Sequence, residues 1–329
     1  MRRELPPCYN APLDRREESA GRPAPYVRKE ARDMGFRKLS VCLLVTAVVP
    51  WLLSSGCGGG GAGGREITVA GPVTITRTFK PGEVFKYKFK VDTQSGVKRT
   101  AYEQSISAQV ELRTTSTVAD VTADEVDMDM RFDYAVGAVT VSDEMQPDES
   151  ISSLRGKELH FKLDPDGKVI SWGGLSGEAA LEQGAGQIAM LLYEIFPTLP
   201  EGPITVGTSW TEPYDVPEIS SSVDRTFVGD TTYTVVGFRE KYEIQCAEIK
   251  TATSFEFEGR AEQAGEVWLM SGSGTADGTI LLSIKDGNIV YSDGQATMSL
   301  TGEGASVASA AATGTVEMGI KTHLVIELL

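Results

Sequence analysis

Histidine and cysteine are scarce in this 329-residue chain, at two and four residues, and that scarcity narrows the functions open to it. Two histidines leave little material for histidine-based metal or acid–base sites, and four cysteines cannot build a disulfide scaffold at this length. Positive charge is also in deficit. Thirty-one Lys and Arg face 46 Asp and Glu, a formal net charge of −15, which excludes a surface built to neutralise nucleic-acid phosphates. The longest apolar run, Leu39 to Leu53, is shorter than the ~20 residues a membrane-spanning helix needs, and it contains Pro50. What is present, 41% hydrophobic and 23% charged residues, is the composition of an acidic folded protein.

The chain opens on a segment that reads as an address. Residues 1–33 are rich in Pro and Arg (Pro6, Pro7, Arg15, Arg16, Pro23, Pro25) and carry no periodicity that could form a core. From Met34 the order is a basic stretch with Arg37 and Lys38, the apolar run, then Ser54, Ser55, Gly56 and Cys57. This is the plan of a signal peptide, and a start at Met34 makes the preceding residues an over-extended leader. The small residues ending at Cys57 resemble the lipobox of bacterial lipoproteins, although Ser54 stands where Leu is common. The resemblance implies that residues 1–56 are removed and that Cys57 becomes a diacylglyceryl-modified N-terminus holding the protein to a membrane of the cell envelope. Gly58, in place of the Asp that retains such proteins at the inner membrane of many enteric bacteria, points to the outer membrane, facing the periplasm.

Residues 57–66 then serve as a lipidated tether: Gly58 to Gly61, Ala62, Gly63 and Gly64 form a flexible linker. The same glycines lack the Lys and Ser or Thr of a phosphate-binding loop. Two or more acyl chains hold a protein firmly on a bilayer, whereas one binds reversibly. Cys8 and Cys42 leave with the signal and Cys57 is acylated, so Cys246 alone remains as a thiol and no intramolecular disulfide forms.

Residues 67–329 alternate with a period of two. Phe85, Tyr87, Phe89 and Val91 interleave with Lys86, Lys88 and Lys90; Ile106, Ala108, Val110 and Leu112 with Ser107, Gln109 and Glu111; Val126, Met128, Met130, Phe132 and Tyr134 with charged residues. Such half-buried strands belong to antiparallel sheet. In a meander Glu103 and Glu111 would fall beside the lysine row. Further strands are predicted at Leu159–Leu163 and Val169–Trp172, joined by an Asp164–Gly167 turn, and at Thr231–Phe238, Tyr242–Thr253, Glu266–Met270, Thr279–Ile284, Asn288–Tyr291, Ala296–Leu300 and Thr315–Leu328.

One helix is predicted from an N-cap at Ser176 to a stop at Pro197, with Leu181, Ala185, Ile188, Leu192 and Ile195 as its apolar stripe. The expected fold is all-β, with long curved antiparallel strands forming an open barrel or sandwich-like body and one packed α-helix. Phe79, Gly82 and Phe85 return 125 residues later as Ile204, Gly207 and Trp210. Two repeated halves would give this, and so would a general preference for Gly and an aromatic at strand starts.

The stretches Phe79–Tyr87, Gly156–Ile170 and Phe196–Trp210, with a late glycine-rich strand pair, resemble an uncharacterised domain-of-unknown-function family of bacterial lipoproteins. The resemblance covers most of residues 75–300. It implies a secreted, lipid-anchored, β-rich protein and supplies no catalytic residues. A looser analogy with open-barrel lipoprotein carriers is one of architecture alone.

Residues that could carry chemistry are few. His160 and His323 are expected to face solvent, without metal-ligand spacing. Cys246 reads as a buried, inert thiol. The pairs Asp124–Glu125, Asp143–Glu144 and Asp148–Glu149 fall in expected loops as solvated charge, and the glycine-rich Ser271–Gly278 opens no helix and has no phosphate-binding Lys. Met128, Met130, Met298 and Met318 sit on apolar faces and suit either a filled core or a pliable cavity for an apolar ligand. The sequence therefore points to a noncatalytic, cofactor-free envelope lipoprotein that binds an apolar molecule or an envelope protein. The alternatives are a purely structural or partner-binding lipoprotein and an envelope hydrolase using Asp143 or Glu144.

Overall fold

Alternation puts the aromatic and aliphatic members of Phe85–Val91 on one face, where they are buried, and the lysines between them on the other. The computed structural model describes residues 63–99, 102–141, 143–174, 195–216, 223–263, 266–306 and 312–329. In these residues the pattern builds β1 (Arg65–Glu66), β2 (Val84–Arg99), β3 (Tyr102–Val121), β4 (Val126–Val141) and β5 (Glu144–Pro147). A short helix α1 (Glu149–Ser152) precedes β6 (Glu158–Leu163) and β7 (Val169–Gly173). Then come β8 (Ser209–Val216), β9 (Val223–Lys241), β10 (Ile244–Gln263), β11 (Glu266–Ser283), β12 (Ile289–Ser306) and β13 (Ala312–Leu328).

All these strands form one antiparallel sheet in the order β1-β9-β10-β11-β12-β13-β2-β3-β4-β6-β7, with β8 added to β9 and β5 to β4. The sheet curves without closing, so the expected all-β fold holds. Of the lysine row of β2, Lys90 is in register with Glu111 and Lys88 Nζ lies 3.4 Å from the same carboxylate, whereas Glu103 is opposite Lys98, outside the row.

The strands are longer than their alternating stretches. Thr93 to Lys98 extends β2 and Thr114 to Val121 extends β3, because neighbouring strands complete their hydrogen bonds even where small polar residues replace apolar ones. Ser271–Gly278, a gap between two predicted strands, lies inside β11, and β12 likewise joins two predicted pieces. Tyr242 belongs to a turn instead of a strand: Tyr242 and Glu243 both have positive φ, at 53° and 65°. β5, β8 and α1 were not expected. The helix predicted from Ser176 lies outside the described residues up to 194; Ile195 and Phe196, which follow, are buried.

One side chain shows how far the sheet curls. Arg77 Nη1 donates to the carbonyl of Asp166 at 2.7 Å in the β6–β7 turn, and Nη2 donates to Gly287 at 2.8 Å in the β11–β12 turn and to Pro197 at 2.9 Å. β12 and β7 are six steps apart in the sheet order, about 29 Å if the sheet were flat. A single guanidinium reaches both turns only because the sheet wraps round at this end. Phe79, Phe85 and Phe196 pack edge to face there, with ring centroids 5.5–6.4 Å apart. With Ile75, Leu199 and Ile204 they plug that end of the body.

The spacing of 125 residues carries a repeated geometry. Gly82 N–H donates to the Val118 carbonyl, Val118 N–H to Glu83, and Glu83 N–H to Lys80, while the Glu83 carboxylate accepts from Lys80 N–H. At the second site Gly207 donates to Val235, Val235 to Thr208, Thr208 to Thr205, and the Thr208 hydroxyl accepts from Thr205 N–H. Both glycines have positive φ, 81° and 91°, which fits them to these tight turns leading into β2 and β8.

Candidate functional site

The concave face of the sheet changes character along its strands. At the plugged end it bears large side chains, among them Tyr87, Phe89, Leu112, Met128, Met130 and Phe132, all about 1% exposed or less. Midway, the register aligns one row of small residues across eight strands: Thr231, Thr253, Ala276, Ala296, Thr322, Thr93, Ala108 and Val139. Thr231 and Thr253 share a hydrogen bond of 2.8 Å, and Thr93 and Thr322 one of 3.3 Å. In each pair one hydroxyl donates to the other, so these buried threonines bond across neighbouring strands.

Beyond this belt the concave face becomes apolar again. The next row holds Gly229, Phe255, Gly274, Met298, Ile320, Ser95, Ile106 and Val141; the one after it holds Phe227, Phe257, Gly272, Leu300, Met318, Val97 and Gln104. Neither row nor the belt contains a charged residue. Their apolar members form a second buried cluster, separate from that of the plugged end.

Glycine explains how these large side chains are carried. A Cβ on Gly274 would lie 2.0 Å from Phe255 Cζ, one on Gly272 2.6 Å from Leu300 Cδ2, one on Gly302 2.7 Å from Val316 Cγ1, and one on Gly259 2.7 Å from Phe257 Cζ. Four bulky side chains thus lie down across glycines of their own or a neighbouring strand. They lie close against the sheet as a paving and are buried, Phe255, Phe257 and Leu300 at 4%, 2% and 2% exposed.

Residues singled out from the sequence are spread around this face. Cys57 lies outside the described residues. Arg65 and Glu66, at the end of the expected tether, already pair with Glu240 and Arg239 of β9, and Arg65 forms an ion pair with Glu240 at 3.1 Å. His160 and His323 point outward, as expected, but each meets an Asp of the adjacent strand: His160 contacts Asp129, and His323 Nε2 lies 2.9 Å from Asp293. His160 borders an outer cleft of about 390 Å³ that also takes in Asp127, Lys162 and Trp172. There Lys162 Nζ bridges Glu125 at 2.6 Å and Asp127 at 3.5 Å, and those contacts raise its pKa.

Asp148 is not free loop charge: its carboxylate caps α1 by accepting from Ser150 and Ile151 N–H groups. Asp143 occupies a turn at φ 70°. Cys246 is buried against Leu281 and Val290, and burial pushes its thiol up to about 12. Among the described residues no group of three or more His, Cys, Asp or Glu side chains is placed to hold a metal ion. The methionines divide, Met128 and Met130 in the plugged end, Met298 and Met318 in the paving.

No protein-family model and no curated protein matches the chain. The likenesses are to solved structures. One is lipovitellin, studied for its lipid–protein interactions, with 12% identity, 77% of this chain and 25% of that chain covered, and a TM-score of 0.44. The chain therefore spans about a quarter of the lipovitellin chain it matches. A second is an outer membrane channel from Pseudomonas putida F1, with 8% identity, 77% and 98% covered, and a TM-score of 0.23. A third is Salmonella typhi OmpF, with 7% identity, 74% and 98% covered, and a TM-score of 0.22. Similarity at this level carries no argument about this chain, and its concave face must be read from its own residues.

Sequence reasoning missed the belt. Its signal was present as Thr or Ala where an alternating strand should continue with a large apolar residue, as at Thr93, Thr253, Ala276 and Ala296. Only the register shows that these interruptions share one depth.

Proposed function

We propose that the protein is a lipid-anchored cell-envelope lipoprotein, acylated at Cys57, that holds an apolar ligand on the concave face of its sheet without catalysing a reaction. The supporting observation is the order of rows beyond the plug: small residues first, then bulky apolar groups laid flat on glycines, with no charge in any of the three rows. Ligand sites are lined mostly by apolar and aromatic side chains, and these rows, buried as they stand, have that composition. The noncatalytic reading draws support from the scatter of acid–base groups, with His160 and His323 on the outer face and Asp143 in a turn.

Native mass spectrometry of the protein gently extracted from its membrane tests both parts. The expected species has Cys57 as an acylated N-terminus and carries a co-purifying apolar mass. An unmodified mature N-terminus elsewhere removes the anchor, and a ligand-free protein that takes up no hydrophobic probe removes the binding role.

A further inference from the structure

We infer that the turn between β9 and β10 is a strap that opens as a unit of its own, that the N-terminal segment secures it through β1, and that its opening bares an apolar cluster on the outer face. The strap works independently of whatever the concave face holds. It is a two-residue loop, Lys241 pairing with Ile244 across Tyr242 and Glu243. Both loop residues have positive φ, 53° and 65°, where such a loop ordinarily carries Asn-Gly. A Cβ on each therefore loads the turn with strain that contacts elsewhere must offset.

Those contacts lie across the sheet. β12 and β13 stand two and three steps from β10 in the sheet order, about 10 and 14 Å away if the turn stayed in the plane. Yet Lys241 Nζ sits 3.4 Å from the centroid of the Tyr291 ring on β12, and the Tyr242 hydroxyl donates to the Glu327 carboxylate on β13. The turn is thus bent back over the outer face. Beneath it Cys246, Leu281 and Val290 are fully buried, with Ile244, Tyr291 and Leu328 against them, a cluster separate from the two on the concave side. The Cys246 thiol donates to the Ile244 carbonyl at 3.4 Å, so the sulfur lies directly under the strap.

The N-terminal segment is fastened to the same turn. Arg65 and Glu66 pair with Glu240 and Arg239, the residues that lead into it, and Arg65 Nη2 lies 3.1 Å from the Glu240 carboxylate. Gly64, at φ 92°, runs so close that a Cβ there would meet the Glu240 carbonyl oxygen at 2.6 Å, and one on Gly63 would lie 3.7 Å from Lys241 Nζ. Of the two limbs of the strap, the β9 limb bears β1 and the β10 limb covers the buried cluster. Loosening residues 63–66 takes a support from Glu240 and Lys241, and the strained loop then lifts before the rest of the sheet.

The test follows alkylation of Cys246 in the full-length protein at pH 8 by peptide mass spectrometry, which reads this thiol apart from every other cysteine. Labelling is expected to be slow, with a rate that hardly changes in low urea because local opening exposes little surface, and to steepen only where global unfolding takes over. Tyr242→Phe, which removes the hydrogen bond to Glu327, should raise the rate about tenfold. Glu243→Gly, which relieves strain and leaves Tyr242 in place, should lower it about tenfold. Gly64→Val should raise it by detaching β1, and Arg65→Ala, a milder change that covers the case where the first does not fold, should raise it about twofold to fivefold. A rate that tracks global unfolding at every urea concentration, or Tyr242→Phe and Glu243→Gly acting in the same direction, would overturn the strap. Rates unchanged in both Gly64→Val and Arg65→Ala would overturn its coupling to the N-terminal segment.

Discussion

Arg77 is a cation surrounded by carbonyls. Its guanidinium donates to Asp166, Pro197 and Gly287 and sits 5.4 Å from the centroid of the Phe196 ring, and burial lowers its pKa to about 10, which keeps it charged at neutral pH. Arg77→Met should leave these carbonyls without their donors and cost about 3–5 kcal/mol in urea unfolding. Arg77→Lys should recover little of the loss, since an ammonium on a flexible stem does not reproduce the planar fork. Arg77 Nε and the fully buried Tyr87 hydroxyl have no protein partner, so a high-resolution structure should place ordered water on both. Cys246 gives a pH-dependent prediction. Its thiol pKa is raised from 9 to about 12 by burial, so the associated stability is intact below pH 9 and is lost as the pH climbs toward 12. Tyr291, raised to about 12 chiefly by burial, acts in the same direction. Chemical denaturation should show stability falling in that alkaline window, and at pH 8 the native thiol should resist a thiol reagent that labels it at once on unfolding.

At the level of elements, the paired turns at Gly82 and Gly207 provide matched sites. A Cβ at either glycine meets nothing within 4 Å, so Ala there should cost only the left-handed backbone conformation, about 1–2 kcal/mol. The two penalties should be equal and additive in thermal or urea unfolding, because the same four hydrogen bonds surround each glycine. Gly274→Val should behave otherwise, since its Cβ would meet both Phe255 and the Thr297 carbonyl; a loss of about 1–3 kcal/mol or more is expected. These glycines also show where the sequence was readable. Strands with a large residue at every second position, such as Phe85–Val91 and Val126–Phe132, declare their face and period without help. Ser271–Gly278 does not, because its inner positions are Gly and Ala, and Gly272 and Gly274 are covered by Leu300 and Phe255 of the flanking strands, a partnership that exists only in the register. The belt was hidden for the same reason: eight residues on eight strands have no pattern along the chain. α1 was hidden by length, its four residues being too few to show a helical period.

For the whole molecule, the position of β1 sets the orientation that the Cys57 anchor proposed above would impose on a membrane. β1 joins β9 at Arg239 and Glu240, beside the plugged end, whereas Phe227 of the same strand lies in the paving thirteen residues away. That separation is about 44 Å along an extended strand. Cys57 and Arg65 are eight residues apart, a reach of at most about 29 Å. An anchor this short cannot let the body invert so that its far rim meets the bilayer holding the lipid; the plugged end is the one kept close. Single-cysteine labelling makes this measurable, because buried Cys246 does not compete for the dye. With the acylated protein on vesicles containing a headgroup quencher, a fluorophore at Lys285→Cys, exposed in the β11–β12 turn, should be quenched strongly. One at Leu269→Cys, exposed on β11 near the rim, should be quenched weakly. Doubling the glycine stretch should raise quenching at position 269 by letting the body tip over. Stronger quenching at 269 than at 285 with the natural tether would mean that the far rim is held toward the membrane, and the short-anchor argument would be wrong.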